Sequence, residues 1–445
     1  MSAAAVAALG TTGAAQAVTP NKGLGHGYHN GDVEVSASRN ASGEYMLVDP
    51  GRGGLQVRNM ANDYQQGWDS GRPSTDADNV WGNGSKDDRQ TTDVDAFHAA
   101  SRTWDYFLKQ HGRRGIHDDG VGPRVFTDVG PADGEFFAQY DPECGCMVLG
   151  PAVAGNAAWN TTDVVAHEMT HGITGMTAGL ALNGEAGGLN ESTSDIFGTL
   201  VEFSANNGKD LPDYTIGEGV SGKPLRYMDD PTKDGVSKGC WTPGVGEGEE
   251  PNHRIGGISN KFFYQLAVGS GKSQWGNSPT CGKAPAVKGI GNDKAGKIWY
   301  RALTRYLVPN SNFSGARAGT LRAAADLYGK NSTEAKTVAA AWLAVGVDGS
   351  DPVPAAPQAP SLKWVNYQTN AVGAEVMVRL QAPDPQRQRV TFTATGLPPG
   401  LTLDKATGVV TGKPTQPGEF DVTFVAADCD GNTSNRQITW VVQAK

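Results

Sequence analysis

Cysteine is scarce in this chain, with five among 445 residues. Because the number is odd, at least one thiol has no intramolecular disulfide partner. If the chain is exported, Cys240 and Cys281 are the preferred pair, since both lie in a glycine-rich stretch that a disulfide would constrain. Cys144 and Cys146 have no further soft ligands nearby, so we expect a local disulfide or free thiols there rather than a structural metal site.

The chain also lacks an excess of basic residues and a long apolar run. Its formal net charge is -9 and its pI is near 5.4, so a broad surface for nucleic acid or anionic membrane is excluded because both would repel it. No apolar run in the sequence is long enough to span a bilayer. Acidic side chains are instead available to gather around cations.

The first 17 residues resemble the last part of a secretory signal. A short apolar run is followed by an Ala-x-Ala site at Ala15–Ala17, but no basic segment precedes it. The alternative is a disordered, alanine-rich tail. The signal interpretation predicts a secreted, extracellular protein in which residues 1–20 are a signal-peptide remnant.

A length of 445 residues exceeds what one hydrophobic core usually serves, so two or more domains are expected. The sharpest change in composition is the proline- and alanine-rich stretch 349–360, which favours extended backbone and predicts a linker. Beyond it, short alternating runs separated by turn residues predict a small antiparallel β-sandwich over 361–445. These runs are Val376–Leu380, Val390–Thr393, Val422–Val425 and Ile438–Val442.

This segment resembles the immunoglobulin-like, cadherin-like modules that are appended to many bacterial exoproteins. The resemblance rests on the run Gly396–Asp404, with its Leu-Pro-Pro-Gly-Leu sequence, and on the turns Thr407-Gly408 and Asp428–Gly431. It implies a spacer or a weak binding module, whose partner would be a polysaccharide or a protein surface.

The rest of the chain divides by periodicity. Residues 21–155 have the pattern of strands and loops, apart from one helix predicted from Asp93 to Gln110. Ala99, Trp104, Phe107 and Leu108 recur at the spacing of an amphipathic helix, and the aromatic side chains among them are assigned to core packing. Residues 160–348 are predicted to be mainly helical.

The segment Asp163–His171 has the mixture of residues expected of a buried helix. Because His167 and His171 are four positions apart, both imidazoles project from one helical face and can bind one cation. Glu168 follows the first histidine and points beside the cation, where it is free to act as a base. The pattern predicts a zinc centre.

Zinc bound by two protein ligands is incomplete, so a third ligand must come from elsewhere while a fourth position stays open. Glu191, 20 positions after His171, is predicted as that ligand, since the spacing suits a second helix returning after a loop. Asp195 lies one turn further on the same face, where it would accept a hydrogen bond from His167 and fix its tautomer. Two such acids alone would indicate a solvated helical face; the histidine motif favours the metal site.

These residues resemble the thermolysin family of neutral zinc metallopeptidases. The matching segments are His167–His171, Asn190–Phe203, Trp299–Leu303, Ser311–Phe313 and Ala324–Gly329. The resemblance covers roughly residues 21 to 348 and implies an α+β fold: a two-lobed catalytic domain with a cleft between the lobes, followed by the all-β sandwich. The implied β-rich N-terminal lobe, which includes the zinc-binding helix, is 21–184, and the implied α-helical lobe is 185–348.

The resemblance implies a secreted endopeptidase that acts on proteins or peptides, with Glu168 as the base that activates the attacking water. His253 stands where the family has a histidine that stabilises the tetrahedral oxyanion. Arg226 matches an arginine that holds a substrate carbonyl. A bulky hydrophobic residue after the scissile bond is expected, because three residues match the lining of an apolar pocket, although each could equally be a core residue: Val164, Ile216 and Leu225.

The chain departs from the family pattern at three places. Leu182 stands where the family usually has a tyrosine as a second oxyanion donor, and leucine cannot donate a hydrogen bond. Gly248 stands at the place of an aspartate that orients the histidine, so Glu247 or Glu249 would have to substitute. The edge strand that pairs with substrate has no clear counterpart, and Gly134–Tyr140 is its predicted replacement.

Calcium is also implied by the resemblance. Four carboxylates fall where the family's interior calcium ligands lie, and grouped carboxylates need a cation to offset their repulsion. Thr215 replaces an acid that would help to bridge two ions, so at least one structural calcium is expected rather than a bridged pair. The expected ligands are Asp163, Glu202, Asp213 and Glu218.

Two rival functions remain open. A zinc aminopeptidase shares the histidine motif, but such enzymes usually carry a Gly-x-Met-Glu-Asn segment, which this sequence lacks. The other rival is a catalytically weakened metallopeptidase that acts as an extracellular binding or adhesion protein, which Leu182 and Gly248 suggest. The retained zinc ligands and Glu168 argue against it. A monomer is expected.

Overall fold

The computed structural model describes residues 21–61, 71–130, 138–152, 156–248, 252–385 and 388–444. The predicted signal remnant, 1–20, lies outside the described residues. The described chain forms a β-rich N-terminal lobe, a helical lobe and a C-terminal sandwich. Within those ranges, no helix combines the length and the apolar character needed to cross a membrane.

The N-terminal lobe contains two sheets, one with strand order β7-β3-β2-β1-β8 and one with order β10-β11-β9-β5-β4, in which β6 also pairs with β5. Alternate residues of β2, namely Val33, Val35 and Ala37, face the core, as the period of two requires. The strands are β1 (Asn21–Gly27), β2 (Gly31–Arg39), β3 (Tyr45–Met46), β4 (Val48–Asp49), β5 (Leu55–Asn59), β6 (Arg72–Pro73), β7 (Thr75–Asp76), β8 (Val80–Trp81), β9 (Arg124–Thr127), β10 (Ala138–Asp141) and β11 (Cys146–Leu149).

Helix α1 (Arg89–His111) packs against these sheets. It begins four residues earlier than predicted, because the side chain of Asp88 caps its first turn. It ends one residue later, at His111, and is followed by the C-cap Gly112, whose φ of 70° is the left-handed conformation that glycine accepts without strain. Trp104 and Phe107 are buried as predicted, while Leu108 is 42% exposed.

The remaining helices include the predicted zinc-binding helix and the helical lobe, and two short hairpins pair β12 with β13 and β14 with β15. Their bounds are α2 (Thr162–Met176), α3 (Gly184–Ala205), α4 (Glu218–Ser221), α5 (Asn252–Ala267), α6 (Asn292–Arg305), α7 (Phe313–Tyr328), α8 (Thr333–Ala344), β12 (Thr215–Ile216), β13 (Arg226–Tyr227), β14 (Gly271–Ser273) and β15 (Gly276–Ser278), with 3-10 turns at Pro50–Arg52 and Pro231–Asp234.

Aromatic residues hold the helical lobe together. Trp342 of α8 stacks on Phe262 of α5, with ring centroids 3.8 Å apart, and its indole N–H donates to Thr320 Oγ1 of α7 at 2.8 Å. Trp299 of α6 donates to Thr193 Oγ1 of α3 at 3.2 Å. Because a buried indole N–H without a hydrogen-bond partner carries a desolvation cost, these two hydrogen bonds help to fix the positions of the helices.

The cysteines follow the expected pairing. Cys240 is joined to Cys281, as predicted, and the bridge closes a separation of 41 residues. Cys144 is joined to Cys146, which selects the local disulfide over free thiols. Cys429 is an exposed free thiol.

The predicted linker is held against the helical lobe. Asn312, the N-cap of α7, donates through Nδ2 to Asp351 Oδ2 at 2.8 Å. Asn310 Nδ2 donates to the carbonyl oxygen of Ala355, also at 2.8 Å. These contacts attach the extended segment to the helical lobe along part of its length.

The C-terminal module is a sandwich of two sheets, with strand orders β16-β22-β21-β18 and β17-β20-β19. The expectation of purely antiparallel pairing is wrong at one position, because β16 runs parallel to β22. Buried Phe424 and Trp440 are central to its core. The strands are β16 (Gln368–Ala371), β17 (Val376–Arg379), β18 (Thr391–Thr395), β19 (Leu401–Leu403), β20 (Val409–Gly412), β21 (Gly418–Ala427) and β22 (Thr433–Gln443).

Replacing Trp342 by alanine should destabilise the helical lobe by about 3–5 kcal/mol, since the substitution leaves a cavity and removes the partner of Thr320. Urea unfolding followed by far-ultraviolet circular dichroism measures the effect. Leu343→Ala, at the neighbouring side chain that is 41% exposed, is the matched control and should change the midpoint little. Equal midpoints for the two variants would contradict this assignment of the core.

Candidate metal centre and substrate cleft

Helices α2 and α3 bring the three predicted metal ligands together. His167 and His171 lie one turn apart on α2, and their Nε2 atoms are 3.0 Å apart. Oε2 of Glu191, on α3, lies 3.3 Å from His167 Nε2 and 3.6 Å from His171 Nε2. Residues 20 positions apart in the sequence thus converge on one point.

The other ring nitrogens fix the tautomers of both histidines. Nδ1 of His167 lies 2.8 Å from Asp195 Oδ1, and Nδ1 of His171 lies 2.8 Å from Asn190 Oδ1. Asn190 donates through Nδ2 to the carbonyl oxygen of Leu180 at 2.9 Å, so its amide oxygen faces the histidine. Because a carboxylate and an amide oxygen only accept, both Nδ1 atoms donate, and each neutral ring presents an unprotonated Nε2 to the common point.

Three electron-rich atoms this close repel one another unless a cation lies among them. Two imidazole nitrogens and a carboxylate oxygen are the ligand types of catalytic zinc, which keeps a fourth position open. The residues therefore fit a zinc ion. Without a cation a proton must take its place: burial would lower the pKa of His167, but Asp195 and Glu191 outweigh burial and raise it to about 10.

Asp195 is the anchor of this arrangement and is almost fully buried. Besides His167, it accepts hydrogen bonds from Arg226 Nη2 at 2.7 Å and Nε at 2.8 Å, and from Asn260 Nδ2 at 2.8 Å. Burial would raise the pKa of Asp195, but the charge of Arg226 and the hydrogen bond from His167 hold it well below its usual range. The side chain is therefore held as a carboxylate, which orients the ring of His167.

A close approach of α3 and α5 places His253 at the ligands. A methyl group on Gly256 would lie 2.9 Å from the carbonyl oxygen of Gly188, so only glycine allows this packing distance. His253 lies in the first turn of α5, and its Nε2 is 2.9 Å from Glu191 Oε2. The structure thus brings the predicted oxyanion donor beside the predicted metal ligands.

Among the described residues, the carboxylate that contacts His253 is that of Glu191, at Nε2, and no acid lies at the other ring nitrogen. Glu247 is exposed, and its backbone N–H donates to the carbonyl oxygen of Gly244, while Glu249 lies outside the described ranges. Leu182 is 68% exposed on the cleft wall, where its side chain can only make apolar contacts. In the described part of the cleft, His253 is therefore the one predicted oxyanion donor that lies in place.

The predicted substrate-pairing strand, Gly134–Tyr140, is described only in part. Residues 134–137 lie outside the described ranges, and β10 begins at Ala138. This strand is at the end of its sheet, where β11 is its neighbour on one side. Ala138 lines the cleft on both sides of the metal ligands, as a strand that pairs with an extended peptide would.

An apolar cavity of about 300 Å³ opens on one side of His167 and Glu168. Val164 and Leu225 line it as predicted, and Arg226 closes its polar side. Ile216 does not line this cavity: its side chain is buried, which is the core alternative left open for it, and its strand pairs with that of Arg226 in the β12–β13 pair. The remaining lining residues are Ala138, Trp159 and His253; Trp159 was not predicted.

A second cavity, of about 420 Å³, lies on the other side of the ligands, and we call it the module cavity. Glu168 lines both cavities and is only 6% exposed, so a group bound at the metal ligands meets this carboxylate from either direction. The far wall of the module cavity comes from the C-terminal sandwich, through residues 361–364 and Arg436. Nothing in the sequence pattern indicated that the module reaches the cleft.

The predicted calcium ligands are only partly together. Glu202 and Glu218 place carboxylate oxygens within 4.8 Å of each other and of Asp210, which was not predicted, and we call these three the acidic cluster. Asp163 and Asp213 lie outside this trio. The Asp163 carboxylate instead accepts hydrogen bonds from Thr161 Oγ1 and Gly217 N–H, while the Asp213 carboxylate accepts from Thr215.

The acidic cluster has the electrostatics of a cation site. Burial, followed by the charges of Asp163 and Asp210, raises the pKa of Glu202 to about 11. Burial and neighbouring carboxylates raise the pKa of Asp210 to about 7 and that of Glu218 to about 8. Glu202 Oε1 and Glu218 Oε2 are also buried without a hydrogen-bond partner. A hard cation would satisfy these oxygens and remove the repulsion, so the residues fit calcium.

Comparison with known families agrees with this architecture. Residues 22–175 match the family described as thermolysin metallopeptidase, catalytic domain, and residues 178–347 match its alpha-helical domain. The chain therefore belongs to the thermolysin family of metallopeptidases, which confirms the predicted family and the α+β, two-lobed fold. Residues 359–443 match the family described as "Putative Ig domain", which confirms the immunoglobulin-like assignment of the module.

Among individual relatives, the chain is 41% identical over 430 residues to a transglutaminase-activating metalloprotease of Streptomyces mobaraensis, covering 95% of this chain and 54% of that protein. It is 40% identical over 260 residues to a thermolysin of Alicyclobacillus acidocaldarius, covering 57% and 45%. A solved precursor of protealysin, a metalloproteinase from Serratia proteamaculans, is 26% identical with a TM-score of 0.50, covering 66% and 87%. The chain spans about half the length of the curated relatives that it matches.

Replacing Asp195 by asparagine should weaken zinc binding about 10–100-fold, because the amide keeps the shape but loses the charge that orients His167. Competition with a chromophoric chelator measures the zinc dissociation constant directly, without reference to activity. Asp293→Asn changes an exposed carboxylate that pairs with Lys297, and it should leave the constant unchanged. Equal zinc affinity in both variants would refute the orienting role of Asp195.

Proposed function

We propose that the chain is a secreted, zinc-dependent endopeptidase. The observation that carries this proposal is the convergence of two histidine nitrogens and a glutamate oxygen beside Glu168, with a cavity open on each side. An extended chain can pass through a cleft that continues in both directions, whereas a free-terminus exopeptidase needs one blocked end. The arrangement therefore supports cleavage within a protein or peptide rather than at its amino terminus.

The chemistry divides between the metal and the surrounding residues. A zinc ion held by His167, His171 and Glu191 would supply a Lewis acid that polarises the substrate carbonyl and lowers the pKa of the attacking water. Glu168 accepts the proton of that water and carries it to the leaving amine. Because Glu168 is buried, its carboxylate acts in a medium where charge–charge interactions are strong.

The second group of residues holds the reacting bond. His253 offers a ring N–H toward the oxygen on which negative charge develops. In comparable sites such a donor lowers the activation barrier by about 3 kcal/mol. Arg226 is held by two hydrogen bonds to Asp195, which positions its remaining donor to grip a substrate carbonyl. With Leu182 in place of a donor, the oxyanion depends on His253 and the metal.

The apolar cavity supports a preference for a bulky hydrophobic residue directly after the scissile bond. Its wall is formed by Val164, Leu225 and Trp159, so burial of a leucine or phenylalanine side chain there contributes the binding free energy. Arg226 and Glu168 lie at its polar rim, toward the reacting bond.

A catalytically weakened adhesion protein receives no support from the site. His167, Glu168, Glu191 and Asp195 are buried polar groups gathered beside His171, and an idle site would not require such costly burial. Comparison likewise places the chain among metallopeptidases.

Secretion and calcium are parts of the same proposal. The two disulfides among the described residues suit an oxidising, extracellular setting, as does the signal-like start of the sequence. The acidic cluster supports one structural calcium bound by Glu202, Asp210 and Glu218. Such an ion would tie the end of α3 to the loop that leads into α4 and the apolar cavity.

Replacing Glu168 by glutamine should slow casein hydrolysis about a thousandfold, since the amide cannot accept the proton. Initial rates with labelled casein measure activity, and metal analysis should show full zinc content in the variant. Glu44→Gln, at an exposed position that lines neither cavity, is the control and should be as active as the parent. A Glu168→Gln enzyme that digests casein at the parent rate would disprove the mechanism.

Calcium should raise the thermal midpoint of the zinc-loaded protein. At free calcium about one hundred times its dissociation constant, linkage stabilises the folded state by about 2.7 kcal/mol. Asp210→Asn should abolish most of that shift, because it removes one member of the acidic cluster. Asp213→Asn, outside the cluster, should retain it. Differential scanning calorimetry with zinc present throughout measures the calcium-induced shift in both variants. If Asp213→Asn lost the shift and Asp210→Asn retained it, the ligand set expected from the sequence would be correct instead.

A further inference from the structure

The C-terminal module forms part of the wall of the substrate cleft. Ser361, Leu362, Lys363 and Trp364 at its start, together with Arg436 on β22, line the module cavity. The opposite wall of the same cavity carries the metal ligands and the base. A ligand that fills this space therefore contacts the module and the catalytic residues together.

Specific contacts hold the module in this position. Lys363 Nζ donates to the carbonyl oxygen of Thr177, at the end of α2, at 2.6 Å. The indole of Trp364 packs against Gly175, where a methyl group would lie 2.9 Å from Trp364 Cδ1, and against the core of the N-terminal lobe. The backbone N–H of Tyr367 donates to the carbonyl oxygen of Glu143 at 2.5 Å. Buried contacts of this kind place the module much more firmly than a flexible tether would.

Arg436 brings an uncompensated positive charge to the cavity. Its guanidinium carbon lies 4.5 Å from the centroid of the Trp364 ring, and its Nε is buried without a hydrogen-bond partner. In the described part of the chain, no carboxylate pairs with Arg436. Burial, followed by the charge of Arg436, lowers the pKa of the neighbouring Lys363 to about 8. Two cations without a counter-charge would be stabilised by an anionic ligand.

The position relative to the metal ligands identifies which part of a substrate would meet Arg436. Under the proposed function, the apolar cavity with Val164 and Leu225 takes the residue that follows the scissile bond. The module cavity lies on the other side of His167 and Glu168, so it takes residues that precede the bond.

We propose that Arg436 is a specificity-determining residue, through which the C-terminal module selects substrates with an acidic side chain on the amino-terminal side of the scissile bond. This inference rests on the proposed endopeptidase function. The module is then part of the substrate cleft, whether or not it also binds an external surface.

Fluorescence-quenched peptides test the inference. Each has leucine after the scissile bond and differs only in having glutamate or glutamine at the first, second or third position before it. The parent protein should show a higher kcat/KM for glutamate at one or more of these positions, by about fivefold for a partly exposed ion pair. Mass spectrometry of the products confirms that the same bond is cleaved in each peptide.

Variants at Arg436 test whether this residue causes the preference for glutamate. Arg436→Gln should abolish the ratio between glutamate and glutamine peptides, Arg436→Lys should retain most of it, and Arg436→Glu should reverse it in favour of a matching lysine peptide. Arg379→Glu introduces the same charge change at an exposed position of the module and should leave both the ratio and the overall rate as in the parent. Thermal midpoints verify that the variants are folded.

The outcomes separate the two proposals. If the parent cleaves none of the peptides and no casein, the endopeptidase function fails. If it cleaves the glutamine peptides but shows no preference for glutamate, or if Arg436→Glu and Arg379→Glu change the ratio equally, the assignment of Arg436 is wrong while the function stands. A uniform rise in rate toward all peptides in the Arg436 variants would also contradict it, since that result would mean that the module merely obstructs the cleft.

Discussion

The structure of the cleft depends on keeping three mutually repelling atoms together. Nε2 of His167, Nε2 of His171 and Oε2 of Glu191 lie within 3.6 Å of one another. Their mutual repulsion would separate them if nothing else held them. Asp195 and Asn190 hold the two rings by their other nitrogens. The packing of α2 on α3 supplies the rest of the constraint. A cation converts this unfavourable arrangement into a favourable one, so metal affinity and the stability of the helix pair are coupled.

This constraint explains which features of the site could be predicted from the sequence. The spacing of His167 and His171 is set by the helical repeat alone, so a local pattern was sufficient for both. Glu191 and Asp195 are likewise one turn apart on a second helix, and only the loop between the helices had to be inferred. His253 and Arg226 were assigned by resemblance, and the structure places both against this group.

Features that depend on long-range packing were not predictable in the same way. Ile216 and Leu225 are both apolar and could both line a pocket. The pleat of a two-residue strand, however, turns the side chain of Ile216 into the core. Asp210 lies in an acid-rich loop after α3, and loop conformation rather than spacing decides which carboxylates meet Glu202. Likewise, the β-strand pattern predicted the sandwich but not the parallel pairing of β16 with β22, since strand alternation carries no information about direction.

Arg436 shows the same limit most clearly, because it is 269 positions from His167 and lies in a different domain. The proline-rich segment was expected to separate the module from the peptidase, and composition gives no reason to expect otherwise. Contacts of Lys363 and Trp364 with α2 nevertheless place β22 at the cleft. A module attached in this way can alter which substrates fit without altering any catalytic residue. The residues whose geometry the reaction requires then lie on α2 and α3. The wall that contacts the substrate belongs to a sandwich, whose loops and strands tolerate substitution.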